Sequence, residues 1–140
     1  MRGRMTPQEI VTRMYEKDAF SQWLGVRILE VDQGHCRLSM RVRPEMCNGF
    51  HIGHGGITYA LADSTLAFAS NSLGQHAVSI ETSISHTRIV QPGDLLTATS
   101  QLLKDGRNLA IFQITVTNQK EETVALFKGT VLKQKSWDEK

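Results

Sequence analysis

The spacing of apolar residues changes along the chain, and each change marks an element. Near the N-terminus Ile10, Val11 and Met14 share one helical face. Thr6 precedes them as a cap, Pro7 suits the first helical position, and Glu9 completes a capping box. This short N-terminal helix is expected to end near Phe20 to Trp23, before Gly25. Residues 26–32 and 35–42 then read as two strands joined at Gln33-Gly34. In the second, Cys36, Leu38, Met40 and Val42 alternate with Arg37, Ser39 and Arg41, the period of two expected of a half-exposed sheet. Residues 44–53 have no period and read as irregular.

Residues 56–73 behave differently. They are rich in Ala and Leu, apolar almost all round, and end before Gly74. A helix without a charged stripe belongs inside a structure rather than on its surface. Strand-like runs follow at 77–90, 95–104, 108–117 and 123–133. Gln91-Pro92-Gly93-Asp94 breaks the first from the second, and Asp105-Gly106 is a strong hairpin signal between the next two. The order helix, two strands, buried helix, four strands predicts an α+β architecture, one long helix wrapped by a mostly antiparallel six-stranded sheet.

Composition narrows the class. A chain of 140 residues fits a single domain, 1–140, able to bury its own core. At 40% hydrophobic and 21% charged residues it is not a disordered chain. A net charge of +2 without a basic stripe gives no reason to expect nucleic acid as a partner. No stretch approaches the ~20 apolar residues of a membrane span, and no apolar segment follows the basic N-terminus as in a secretion signal. Cys36 and Cys47 form no zinc or redox spacing, so free thiols and a cytoplasmic location are expected.

The chemistry concentrates in residues 48–63. Asp63 is the only Asp, Glu, Lys or Arg between Glu45 and Glu81, and it falls mid-helix in apolar surroundings, where a carboxylate is costly. Such surroundings should raise its pKa from ~3.9 and make it a better base. His54-Gly55-Gly56 opens that helix. Glycine allows close approach to the backbone, and the unpaired N–H groups of a first turn can hold an oxyanion. Gly56 and Asp63, seven residues apart, share a helical face. Structural roles account for the same residues: a carboxylate can cap a loop, His54-Gly55-Gly56 can be a tight turn, and Asn48 can be a turn residue. His51-x-x-His54 lacks further ligands apart from Cys47, so no metal site is expected. Lys104-Asp105-Gly106-Arg107 reads as a hairpin turn whose two cations can also meet phosphates. Spacing names no partner for His35, His76 or His86.

Taken together, Asn48-Gly49, His54-Gly55-Gly56 and Leu61-Ala62-Asp63 resemble the signature of hotdog-fold acyl-CoA thioesterases, and most closely the phenylacetic-acid-degradation, PaaI-type branch. The likeness extends through Tyr15-Glu16-Lys17-Asp18, Ser79 to Arg88, Gly93 to Ala98 and Val124 to Gly129, roughly residues 10–133. Ile89 departs from it, standing where relatives favour Pro. The resemblance implies a hotdog fold whose protomers pair through their sheets and then associate as a dimer of dimers. Active sites would lie between chains, with Gly55 of one facing Asp63 of the other. Asp63 would be the general base or nucleophile, and Gly55 would supply the N–H that polarises the thioester carbonyl. Asn48 and His54 would shape the site, and Ser79 would help hold the attacking water. Lys104, Gly106, Arg107 and Asn108 would contact the nucleotide end of coenzyme A. The acyl group implied is aryl-acetyl, with medium-chain groups open, and no cofactor is required beyond the coenzyme A of the substrate. Two other readings stay open: a hotdog acyl-thioester dehydratase or hydratase using Asp63 with His54, and a noncatalytic acyl-CoA-binding module.

Overall fold

The computed structural model describes residues 4–138. The capping box forms as expected: Thr6 Oγ1 accepts from the Glu9 N–H at 3.1 Å, and Glu9 Oε1 accepts from the Thr6 N–H at 3.2 Å. It opens helix α1, Pro7–Glu16, which buries Ile10 and Val11. The helix does not continue to Phe20 as the apolar spacing suggested. Asp18 interrupts it and caps a second short helix, α2, Ala19–Leu24, by accepting from the Ser21 N–H at 2.9 Å. A side chain able to satisfy the orphan donors of a new helix competes with extension of the old one. Gly25, at φ 72°, then ends α2 in the left-handed region.

The strands are β1, Arg27–Asp32; β2, His35–Arg41; β3, Gln75–His86; β4, Leu95–Asp105; β5, Leu109–Thr117; and β6, Thr123–Ser136. They form one sheet in the order β1-β2-β4-β5-β6-β3, with every neighbouring pair antiparallel. The Asp105-Gly106 hairpin joins β4 to β5, where the Gly106 N–H donates to Leu109 O at 2.8 Å. β3 stops at His86 rather than Val90. There the Thr87 and Arg88 N–H groups both turn to Val124 O, and Val90 O instead accepts from the Gly53 N–H at 2.7 Å. Residues 87–90 thus support the irregular 44–53 segment instead of lengthening the sheet.

Helix α3, Gly55–Asn71, packs against one face of this sheet. Alternate residues of the strands point at it: Cys36, Leu38 and Met40; Leu96 and Ala98; Ala110, Phe112, Ile114 and Val116; Ala125, Phe127 and Val131. From the helix Leu61, Leu66 and Phe68 meet them, each at most 1% exposed. Burying side chains of this size contributes roughly 1.5–3 kcal/mol apiece. Helices α1 and α2 cover part of the opposite side of α3. No helix among the described residues is long and apolar enough to cross a membrane.

On β6, Gly129 faces α3 where Leu66 arrives. A Cβ there would lie 2.5 Å from Leu66 Cδ2, inside contact distance of a side chain that is itself enclosed. Gly129→Ala is therefore expected to force Leu66 from its place and destabilise the fold by roughly 1–3 kcal/mol. Urea unfolding of the two proteins measures the difference.

Candidate active site

The N-terminus of α3 is built by His54 and by the loop before it. His54 Nδ1 accepts from the Gly56 N–H at 2.8 Å, so the neutral ring carries its proton on Nε2. The His54 N–H itself donates to Met46 O at 2.9 Å, tying the helix start to the 44–53 segment. Asn48 folds that segment: its Oδ1 accepts from the Phe50 N–H at 2.9 Å, its carbonyl from the His51 N–H at 3.0 Å, and its own N–H donates to Ile52 O at 2.9 Å. Asn48 and His54 thus both hold the loop from which Gly55 projects. Among the described residues no acceptor takes the Gly55 N–H. It stands in a cavity of ≈ 490 Å³ lined by Asn48, Gly55, Thr58, His86, Arg88 and Ile89, among others.

Eight residues further on, Asp63 lies in a separate cavity of ≈ 270 Å³. The helix, apolar by sequence, is not enclosed all round: Tyr59, Asp63 and Ala67, spaced four apart, form a half-buried stripe on one face. That face looks toward β3, where Tyr59 Oη and Thr82 Oγ1 lie 2.6 Å apart. Leu66, Ser70, Ala77, Val78, Ser79 and Val131 complete the walls around Asp63. Among the described residues no charge or donor offsets the desolvation there, and burial raises the Asp63 pKa above its ordinary value. The wall from β3 is fixed by Asn71. Its side chain donates to Ala67 O and Ala77 O and accepts from the Ala77 N–H at 3.1 Å and from Trp137 Nε1 at 3.0 Å.

The sequence-predicted residues therefore fall into three groups. Asp63 and Ser79 share one cavity; Asn48 and Gly55 share another, with His54 as the cap beneath it. Lys104, Gly106, Arg107 and Asn108 lie at the β4–β5 turn, which the register sets beside the β6 end at Leu132 and Lys133. Lys133 Nζ bonds Asp105 Oδ1 and Gly106 O, so the acidic residue of the turn is neutralised. Among the described residues no carboxylate pairs with Lys104 or Arg107. His86 belongs with Gly55, although spacing alone gave it no partner. Its Nε2 lies 3.2 Å from where a Cβ on Gly55 would stand. The one signal for it in the sequence is the period of two from Thr82 through Ile84, which turns His86 toward the helix. Cys36 and Cys47 are free thiols, and burial pushes the Cys36 thiol up to about 12, which leaves it unreactive.

Residues 50–125, more than half of the chain, match the Thioesterase superfamily. The chain is 40% identical over 116 residues to the acyl-coenzyme A thioesterase PaaI of Escherichia coli K12, covering 83% of each protein. The solved structure of the E. coli PaaI protein from the phenylacetic acid degradation operon superposes with a TM-score of 0.90, at 36% identity, over 93% of this chain and 94% of that one. The smu.793 protein of Streptococcus mutans UA159, solved with acetyl CoA bound, is 27% identical with a TM-score of 0.77, covering 79% of this chain and 90% of that one. The single long helix packed against a six-stranded antiparallel sheet is that of a hotdog fold, and the chain belongs to the thioesterase superfamily.

Proposed function

We propose that the chain hydrolyses acyl-CoA thioesters to the free acid and coenzyme A, with aryl-acetyl or medium-chain acyl groups as substrates. The observation that carries this reading is the pairing of a half-buried, pKa-raised Asp63 with an unclaimed Gly55 N–H on one helix. The acyl-CoA thioesterase name of the E. coli relative and the acetyl CoA held by the S. mutans structure support it. Thioester hydrolysis needs a polarised carbonyl, an activated attacker and an anchor for the leaving group. The Gly55 N–H at the helix start suits the first, since a preorganised donor at an oxyanion is worth ~3 kcal/mol. Asp63 suits the second, either taking a proton from water held by Ser79 or attacking directly. The cations at the β4–β5 turn suit the third. A coenzyme A thiolate leaves readily, so no separate acid is required, and the steps use only the chain's own residues.

The site as proposed spans two copies. Gly55 and Asp63 open into different cavities, about 12 Å apart along the axis of α3 at 1.5 Å per residue, too far to act on one carbonyl. β3 is an edge strand, and an open edge of 12 residues invites pairing. A second copy added across β3 would bring its Gly55 toward the first copy's Asp63. Further association of such pairs into a tetramer belongs to the same proposal, as does a cytoplasmic location, where two free thiols stay reduced. A panel of acyl-CoA substrates with thiol detection tests the activity. Alkene formation from a 3-hydroxyacyl thioester without free thiol would instead identify a dehydratase.

Asp63→Asn should lose most of kcat while coenzyme A affinity holds, because the amide keeps the shape and removes the base. The same change should stabilise the fold at neutral pH. A carboxyl whose pKa is raised on folding favours the native state below its unfolded pKa, and that stabilisation is lost as pH rises through the folded value. The uncharged amide escapes the loss. Wild-type kcat should correspondingly fall on the acid side at a pH above the usual carboxylate range. Kinetics and thermal melts followed from the ordinary carboxylate range up to neutral pH read both effects.

Subunit mixing examines the shared site. Asp63→Asn subunits and Gly55→Pro subunits, each inactive alone, should regain part of the activity after exchange, because one site of each hybrid is intact. Exchange without recovery would overturn the shared site. For the leaving group, Arg107→Ala should raise KM more than it lowers kcat, and the effect should shrink as salt is added. An unchanged KM at low ionic strength would leave the turn without a role in binding.

A further inference from the structure

We infer that His86 donates the second hydrogen bond to the thioester carbonyl oxygen, opposite the Gly55 N–H. The inference rests on the thioesterase reading given above. His86 is the last residue of β3, held in register against Ala125. Two residues before it Ile84 packs against the core, and two before that Thr82 meets Tyr59, so the strand period turns the imidazole to the same side. Its leading edge lies over Gly55: Nε2 and Cε1 are 3.2 and 3.4 Å from the position of a Cβ on that residue. The missing side chain at position 55 is what lets the ring stand so close.

Several of the other polar groups around this cavity are engaged. Asn48 Oδ1 accepts from the Phe50 N–H, the Thr87 hydroxyl donates to Thr123 O, and Arg88 pairs with Glu122 at 3.2 Å. Among the described residues neither ring nitrogen of His86 has a hydrogen-bond partner, and the Gly55 N–H has no acceptor. The Gly55 N–H and the His86 ring thus reach one cavity at the start of α3, whose lining also carries the Thr58 hydroxyl and the Asn48 side-chain amide.

The chemistry decides which atom they serve. A thiol of pKa ~8.5 is released near neutrality with little help, so a proton donor at sulfur gains little. The oxygen of a tetrahedral adduct is a strong base, and donors aimed at it matter most. In the step, Asp63 of the other copy takes a proton as the water oxygen bonds to the carbonyl carbon. The carbonyl π pair moves to oxygen, where the Gly55 N–H and His86 Nε2–H hold it. Collapse of the adduct breaks the C–S bond, and the thiolate recovers the proton from Asp63. His86 keeps its own proton throughout. Attack by the Asp63 carboxylate itself would generate the same oxyanion.

The test compares His86→Phe, which keeps a ring without a donor, with His86→Gln, which restores an N–H. His86 is exposed, so both variants should fold, and circular dichroism checks this. For His86→Phe the expected result is a fall in kcat of about tenfold to hundredfold, with KM and coenzyme A affinity by calorimetry little changed. His86→Gln should recover a substantial part of kcat. A kcat for His86→Phe within about twofold of wild type overturns the inference, as does equal damage in both variants. Wild-type protein that releases no thiol from any acyl-CoA overturns the thioesterase reading itself, a result separate from the other two.

Discussion

Enclosing α3 is the constraint from which the rest of the structure follows. A 17-residue helix with one charged side chain and no polar stripe needs cover on nearly every face. The sheet supplies most of it by aiming alternate residues of β2, β4, β5 and β6 at the helix, and α1 and α2 supply part of the rest. The contact is tight enough that β6 carries a glycine where Leu66 arrives. Beyond the exposed first turn, what is left partly uncovered is the Tyr59, Asp63 and Ala67 stripe beside β3. The catalytic candidate thus occupies the one face that the chain's own elements do not close.

Against that enclosure the polar groups are almost all accounted for. Ser100 takes the Cys36 N–H, Ser72 takes the Gly34 N–H, and Asn71 ties α3 to the start of β3 and to Trp137. Among the described residues no fully buried side-chain nitrogen or oxygen lacks a partner. The Asp63 carboxylate and the Gly55 N–H stand out because nothing of the sort was arranged for them. A carboxyl left without donors sits at a cost to stability, and the same surroundings raise its pKa toward that of a useful base.

The two groups project from one rigid helix into different cavities, and in the proposed mechanism this geometry ties chemistry to assembly. A helix cannot bend eight residues back on itself to bring its start and its middle to one carbonyl. The unpaired β3 edge offers the surface through which a second copy could supply the missing half. Stability, edge protection and a complete site would then come from the same contact.

Much of this was legible in the sequence because the signals are short-range. The capping box at Thr6, the alternation of β2, the Asp105-Gly106 hairpin and the buried central helix each depend on neighbours within a few residues, and each forms. Asp63 was visible as a lone charge in an apolar run, and Gly55 as the opening of a helix. Local competition altered two boundaries: Asp18 split the N-terminal helix, and Val124 and Gly53 drew residues 87–90 away from β3. What the sequence by itself determined was therefore the kind of each element and the candidates for chemistry. Only the tertiary structure decided their company. Ser79 joins Asp63 and His86 joins Gly55 because β3 crosses over to pair with β6 at the far edge of the sheet, a long-range choice that no local period records.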